Sequence, residues 1–216
     1  MFAFVNGPLV WIAFAVFILG SIWQINSLLA AARQTDKVFY NHANSGAAFA
    51  SVLAWMLPFG SRSWREQPGI TALTYAFHLP LVLVPLFALG HTVTLEYNLG
   101  IKWPSFSDGT TDALTLVFLA AAVALLVRRF VVPAVKIVTT CNDYVVWVVT
   151  VLPFVTGYLL AHKMVADPDV MLLLHALSGC LMLILVPFTK LAHAFLFFLT
   201  RAFIGSEFAR RGTKTW

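Results

Sequence analysis

The sequence predicts an all-α fold: an integral membrane protein of five transmembrane helices. Three observations predict it. Of 216 residues, 60% are hydrophobic and 11% are charged, whereas soluble domains carry about 25% charged residues. The mean hydropathy is +0.86. The apolar residues also gather into runs long enough to cross a bilayer, which takes about 20 residues in a helix. This composition excludes a disordered chain, a nucleic-acid-binding domain and an ordinary soluble enzyme. The net charge of +5 therefore reports orientation rather than an acidic partner.

The first span runs over about residues 9–32. It is too long for a signal-peptide core and has no preceding Lys or Arg, so it is expected to be retained. The second covers 71–97 and contains Pro80 and Pro85. The third, fourth and fifth cover 111–127, 144–161 and 170–199. A further apolar run at 46–60 is short, which suggests an interfacial or re-entrant segment. A sixth span there is the competing reading, set against Pro58 and the short linker to Thr71. The sequence shows no internal repeat and no appended soluble domain, so 1–216 reads as one membrane domain.

Twelve Lys and Arg fall on one side of these spans. They occupy the first long loop (Arg33, Lys37, Arg62, Arg65), the loop after span three (Arg128, Arg129, Lys136) and the C-terminal region. Only Lys102 and Lys163 fall on the other side. The positive-inside rule then places the N-terminus outside and the C-terminus in the cytoplasm, in the inner membrane of the cell.

Two cysteines make neither a disulfide framework nor a four-thiolate cluster. There is no C-x-x-C-H, P-loop, H-E-x-x-H or G-x-S-x-G motif. The chemistry lies in the histidines. His78 and His91 fall in span two, His175 and His193 in span five. Intramembrane imidazoles are costly and mark function. The two spans are antiparallel, so His78 pairs with His193 near the cytoplasm and His91 with His175 near the outside. Two stacked His–His pairs are what two six-coordinate b-type haems require. His175 and His193 are 18 residues apart, five turns on one face. His78 and His91 are 13 apart, roughly 140° out of phase on an ideal helix. Pro80 and Pro85 between them are the expected source of a phase change.

Gly179, one turn after His175, and Gly90, beside His91, would let a flat macrocycle approach the backbone. The alternative for both is helix packing. Lys190, three residues before His193, suits a haem propionate, or else snorkels at the inner interface. His162 ends span four as an interfacial anchor or a quinol contact, and His42 reads as a surface residue.

The run His175-Ala-Leu-Ser-Gly179, with Pro187-Phe188-Thr189-Lys190-Leu191-Ala192-His193, resembles helix five of the gamma subunit of respiratory nitrate reductase. Phe77-His78 and Leu86-Phe87-Ala88-Leu89-Gly90-His91 resemble its helix two, and Arg128, Arg129 and Asp143 fit as well. The His78–His91 spacing is three residues longer than in that family. Together with Leu152-Pro153-Phe154-Val155-Thr156-Gly157-Tyr158, it is more similar to the related cytochromes b of sulfite-reductase-linked and heterodisulfide-reductase-type complexes. The resemblance implies two b-type haems, exchange of electrons with membrane quinone and a cytoplasmic iron–sulfur partner. It implies an oxidoreductase subunit with no catalytic residue for a terminal substrate. It also points to Lys102, in the loop after span two, as a quinone contact; the alternative is that Lys102 only anchors the loop. The basic first loop, the apolar segment Ala47–Phe59 and the basic tail (Arg210, Arg211, Lys214) are the expected docking surface; the alternative is positive-inside topology with an interfacial helix. A haem-free transporter with a histidine proton relay is the competing function.

Overall fold

The computed structural model describes residues 5–35 and 41–216. Lys37, counted above in the first basic loop, lies outside the described residues. These residues are mostly helical, with no strand among them. Ten helices follow one another: α1 (Val10–Thr35), α2 (Ser45–Met56), α3 (Arg62–Glu66), α4 (Pro68–Phe87), α5 (Leu89–Leu99), α6 (Asp108–Val131), α7 (Pro133–Ile137), α8 (Cys141–Ala161), α9 (Pro168–Leu185) and α10 (His193–Arg210). Among the described residues, six stretches are long and apolar enough to cross a membrane: Gly7–Thr35, Pro68–Phe87, Asp108–Val131, Cys141–Ala161, Pro168–Phe188 and Lys190–Arg210. The chain is a multi-pass helical membrane protein.

Two expected spans are broken. Span two divides at Ala88, whose ψ of 134° is extended. The carbonyls released there find other donors, Phe106 N–H for Phe87 (2.8 Å) and the His91 ring for Pro85 (2.8 Å). The helix itself continues through Pro80 and Pro85. The 170–199 run divides between α9 and α10 at two single 3₁₀ turns, Val186–Phe188 and Lys190–Ala192, with Thr189 extended between them (φ −127°, ψ −174°). Pro187 offers no N–H for the ladder. Thr189 turns its hydroxyl to the Leu185 carbonyl at 2.8 Å and accepts Leu191 N–H, so its side chain stands in for the missing helical bonds. The sixth candidate stretch thus comes from this division and not from 46–60. That segment forms the 12-residue α2.

The chain falls into two compact units. One comprises residues 72–175, the other the described residues to Thr71 together with 176–216. In the 72–175 unit, Phe118 is fully buried, stacked on Phe154 (3.9 Å) and Phe77 (4.8 Å), with Val84, Ala122 and Val151 around it. The Trp147 indole donates to the Ala122 carbonyl at 3.0 Å, tying α8 to α6. A capping box starts α8: Asp143 accepts from both the N–H and the hydroxyl of Thr140 at 2.8 Å. Arg129 lies 3.7 Å from the same carboxylate. Asp167 caps α9 through Asp169 N–H and Val170 N–H, and Asp108 occupies the first turn of α6. Asp108, Asp167 and Asp169 therefore sit where helix dipoles favour them.

In the other unit, α2 packs on α10. Gly205 brings the helices so close that a Cβ there would collide with Ser51. The Ser206 hydroxyl accepts Asn44 N–H at 2.7 Å, and the Asn44 side chain caps α2 through Ala47 N–H at 2.9 Å. The opposite side of α2 leaves Phe49, Leu53 and Met56 exposed.

Candidate functional site

The break at Ala88 restarts the chain as α5, and His91 stands in its first turn. His175 stands two turns into α9. The two rings approach end to end: Nε2 to Nε2 is 3.4 Å, the ring centroids are 5.8 Å apart and the planes differ by 11°. Each ring is held from behind. His91 Nδ1 lies 2.8 Å from the Pro85 carbonyl and His175 Nδ1 lies 3.0 Å from the Pro153 carbonyl. A carbonyl only accepts, so each Nδ1 carries the proton and each Nε2 is left with a lone pair. Two lone pairs facing at 3.4 Å repel unless a proton or a metal lies between them.

The position of His175 depends on α8. The side-chain hydroxyl of Thr156 donates to Leu152 (2.8 Å) and Pro153 (3.2 Å), and its oxygen lies 3.3 Å from His175 Nδ1. A Cβ at Gly157 would stand 3.0 Å from His175 Cε1 and 3.2 Å from Nδ1. Glycine at 157 therefore lets the imidazole reach the helix backbone. The spacing of histidines gave no sign of this residue, although a Gly one turn after a helical Pro is such a sign. Gly90 and Gly179, expected to clear space, would place a Cβ within 4 Å of nothing.

The other two intramembrane histidines are fixed in the same manner, each in its own unit. His78 Nδ1 lies 2.8 Å from the Thr74 carbonyl, and His193 Nδ1 lies 2.7 Å from the Lys190 carbonyl. All four rings thus anchor Nδ1 on main chain, as metal-ligating histidines commonly do. His162 differs. Its Nε2 pairs with Asp112 Oδ1 at 3.0 Å, and its ring lies 4.3 Å from that of Tyr158. His42 is exposed. Lys102 is exposed on the loop after α5, and no hydrogen bond or ion pair joins it to His162.

A cleft of about 390 Å³ opens beside His193, lined by Gln24, Lys190, Leu196, Phe197, Thr200 and Arg201 among others. The Gln24 side-chain oxygen is buried without a hydrogen-bond partner. Lys190, proposed from sequence to hold an anion, therefore shares this cleft with His193.

Fold and histidines together define a multi-pass helical membrane protein with a facing imidazole pair. The chain belongs to one family with a protein of Nitratidesulfovibrio vulgaris Hildenborough, to which it is 41% identical over 223 residues, covering 100% of this chain and 97% of that one. That relative's name, "Protein", carries no activity. No family model and no solved structure matches the chain.

Proposed function

We propose that the chain is a dihaem cytochrome b subunit that passes electrons between membrane quinol or quinone and a cytoplasmic iron–sulfur subunit of a respiratory reductase complex. The carrying observation is the His91–His175 pair, with both Nδ1 atoms on carbonyls and both Nε2 atoms facing at 3.4 Å. Two metal–imidazole bonds in line need about 4 Å, so a modest separation of the rings admits an iron. A bare pair suits a metal that brings its own equatorial ligands, as haem iron does.

His91 and His175 would hold one haem, His78 and His193 the other. Haem supplies reversible one-electron chemistry at its iron. The protein's part is to fix the imidazoles through the Pro85, Pro153, Thr74 and Lys190 carbonyls and to offer cations to the carboxylates. In this reading the fifth crossing is the 170–199 run, kinked at Thr189, which keeps the N-terminus outside and the C-terminus in the cytoplasm. The exposed apolar side of α2 and the basic tail face the iron–sulfur partner. Lys102 and His162 are the polar groups offered to quinol on the outer side.

A second reading, a haem-free proton relay, draws on the same 3.4 Å contact, which a shared proton would also fit. The test is a dithionite-reduced minus oxidised spectrum with a pyridine haemochrome assay of the purified chain. Two b-type haems per chain are expected. His175→Ala and His193→Ala should each remove a different one. A chain without haem overturns the reading and leaves the relay.

A further inference from the structure

Arg201 is a cation in the wall of an apolar cleft. It lies on α10, two turns beyond His193, and both residues line the cleft with Lys190. Its guanidinium carbon sits 3.6 Å from the centroid of the Trp55 ring. No carboxylate among the described residues pairs with it: the one acid on α10, Glu207, binds Arg210 and Arg211 instead. A guanidinium among Leu196 and Phe197 in a membrane stretch needs a compensating anion. An aromatic face supplies only part of that compensation.

The same cleft holds the buried, partnerless side-chain oxygen of Gln24, whose amide can present either its oxygen or its N–H, and the Thr200 hydroxyl. The missing ligand is therefore an amphipathic anion with a large apolar body and carboxylate-like ends. The His193 ring stands in the cleft with Nδ1 already committed to Lys190.

Trp55 does not belong to α10. It belongs to α2, the short apolar helix whose length rules out a crossing. That helix is locked onto α10 at Gly205 and Ser51 and by the Asn44–Ser206 bond. Trp64 packs edge-on against Trp55 at 6.2 Å, and its indole donates to the Trp55 carbonyl at 3.1 Å. The segment 44–64 is thus built to hold one indole under one guanidinium.

We propose that Arg201, braced by Trp55, is the counter-cation of the carboxylates of the haem on His193, and that α2 serves to position it. This rests on the dihaem reading. A positive charge beside the haem favours the reduced iron, so Arg201 raises that haem's potential, and Trp55 acts through Arg201 as a positioning residue.

The experiment is an optical redox titration of the whole purified chain carrying Arg201→Gln, Arg201→Lys, Trp55→Leu or both R201Q and W55L, with haem counted in each. In R201Q the haem lost in His193→Ala should fall in potential by a tenfold change in its reduction equilibrium, 59 mV for one electron. The other haem should be unmoved. R201K should stay near the parent, and W55L should shift in the same direction by less. The double variant should match R201Q, because Trp55 has no role once Arg201 is gone. If R201Q drops the haem altogether while R201K keeps it, the proposal also stands. Unchanged potentials in R201Q with both haems present overturn it. So does loss of copurifying anionic phospholipid without a change in potential, which would make the anion a lipid phosphate. A parent chain without any haem overturns the dihaem reading itself, a result distinct from either.

Discussion

Gly157 lies against the imidazole of His175, close enough that a Cβ would stand 3.0 Å from Cε1. The contact sets where the ring meets the α8 backbone and, through that, where Nε2 faces His91. Contacts of this length are tight but not impossible, so substitution should act in steps. Gly157→Ala should push the ring by a few tenths of an ångström and weaken haem retention at this pair. Gly157→Val, stiff at χ1, should abolish it. The haemochrome assay should fall from two haems to one in G157V, with the His193-side haem kept. Two haems in G157V would show that the ring position tolerates crowding.

The α2–α10 contact gives a test independent of any cofactor. Gly205→Ala places a methyl onto Ser51. Overpacking of this kind costs about 1–3 kcal/mol. Thermal unfolding in detergent should register the loss. Ser51→Gly in the same chain should restore part of it, since the side chain in the way is removed. The Ala47 carbonyl, 2.7 Å from the added Cβ, prevents full recovery. No loss in G205A would mean that the helices part easily.

Much of this was legible in the sequence, and the parts that were not have identifiable physical causes. Composition and run length gave the apolar helices, because crossing a bilayer imposes a length. The placement of His91 opposite His175 followed from antiparallel spans. The 13-residue spacing of His78 and His91 signalled that span two is not one ideal helix. The prolines suggested the cause, yet the helix runs through both and opens at Ala88, where Phe106 and His91 supply the bonds that make an opening tolerable. Phe106 is distant in sequence, and the His91 ring reaches the Pro85 carbonyl only once the helix has opened, so periodicity could not find them. The break at Thr189 had a nearer sign, Pro187 followed by a hydroxyl residue. Gly157 and Arg201 were missed for one reason: each acts through a partner, His175 or Trp55, that lies far along the chain.

The capping box of α8 carries its own prediction. Asp143→Ala removes the acceptor for Thr140 N–H and hydroxyl and the partner of Arg129. Cap loss costs about 0.5–2 kcal/mol. The ion pair adds little, because it is 3.7 Å long and the Arg129 side chain is 31% exposed. Asp143→Asn keeps the accepting oxygen and loses only the charge, so it should unfold closer to the parent than D143A does. Equal loss in both would move the weight to the ion pair.

The cysteines test the orientation without engineering. Cys141 is exposed and opens α8 on the side with the basic loops, while Cys180 is buried. With the C-terminus in the cytoplasm, a membrane-impermeant maleimide should label Cys141 in inverted vesicles and spare it in intact, outside-facing preparations. Cys180 should stay unlabelled in both until the protein is unfolded. Labelling of Cys141 from the outside would reverse the topology.

The last prediction concerns quinol. A quinol arrives in the bilayer and must leave protons in water, so it needs an apolar pocket at an interface, a redox centre within reach and a polar group for its hydroxyl. Along α8, Gly157 touches His175, and His162 follows five residues later, about 7.5 Å of helical rise. His162 is bonded to Asp112 at 3.0 Å and lies against Tyr158. The bond to the carboxylate holds the ring and sets which nitrogen is offered to a ligand. Lys102 rides on the loop that returns to Phe87 through Phe106, close in sequence to the turn that presents His91. His162→Ala and Lys102→Ala should therefore lose quinol-driven haem reduction, about 10- to 100-fold for a proton acceptor of this kind, with both haems retained. Reduction by dithionite and electron delivery from an artificial donor should be unchanged. Asp112→Asn should fall between H162A and the parent, because it leaves the imidazole in place and weakens the contact that orients it. Normal quinol oxidation in both alanine variants would take these two residues out of the site, while loss confined to one of them would say which group meets the hydroxyl.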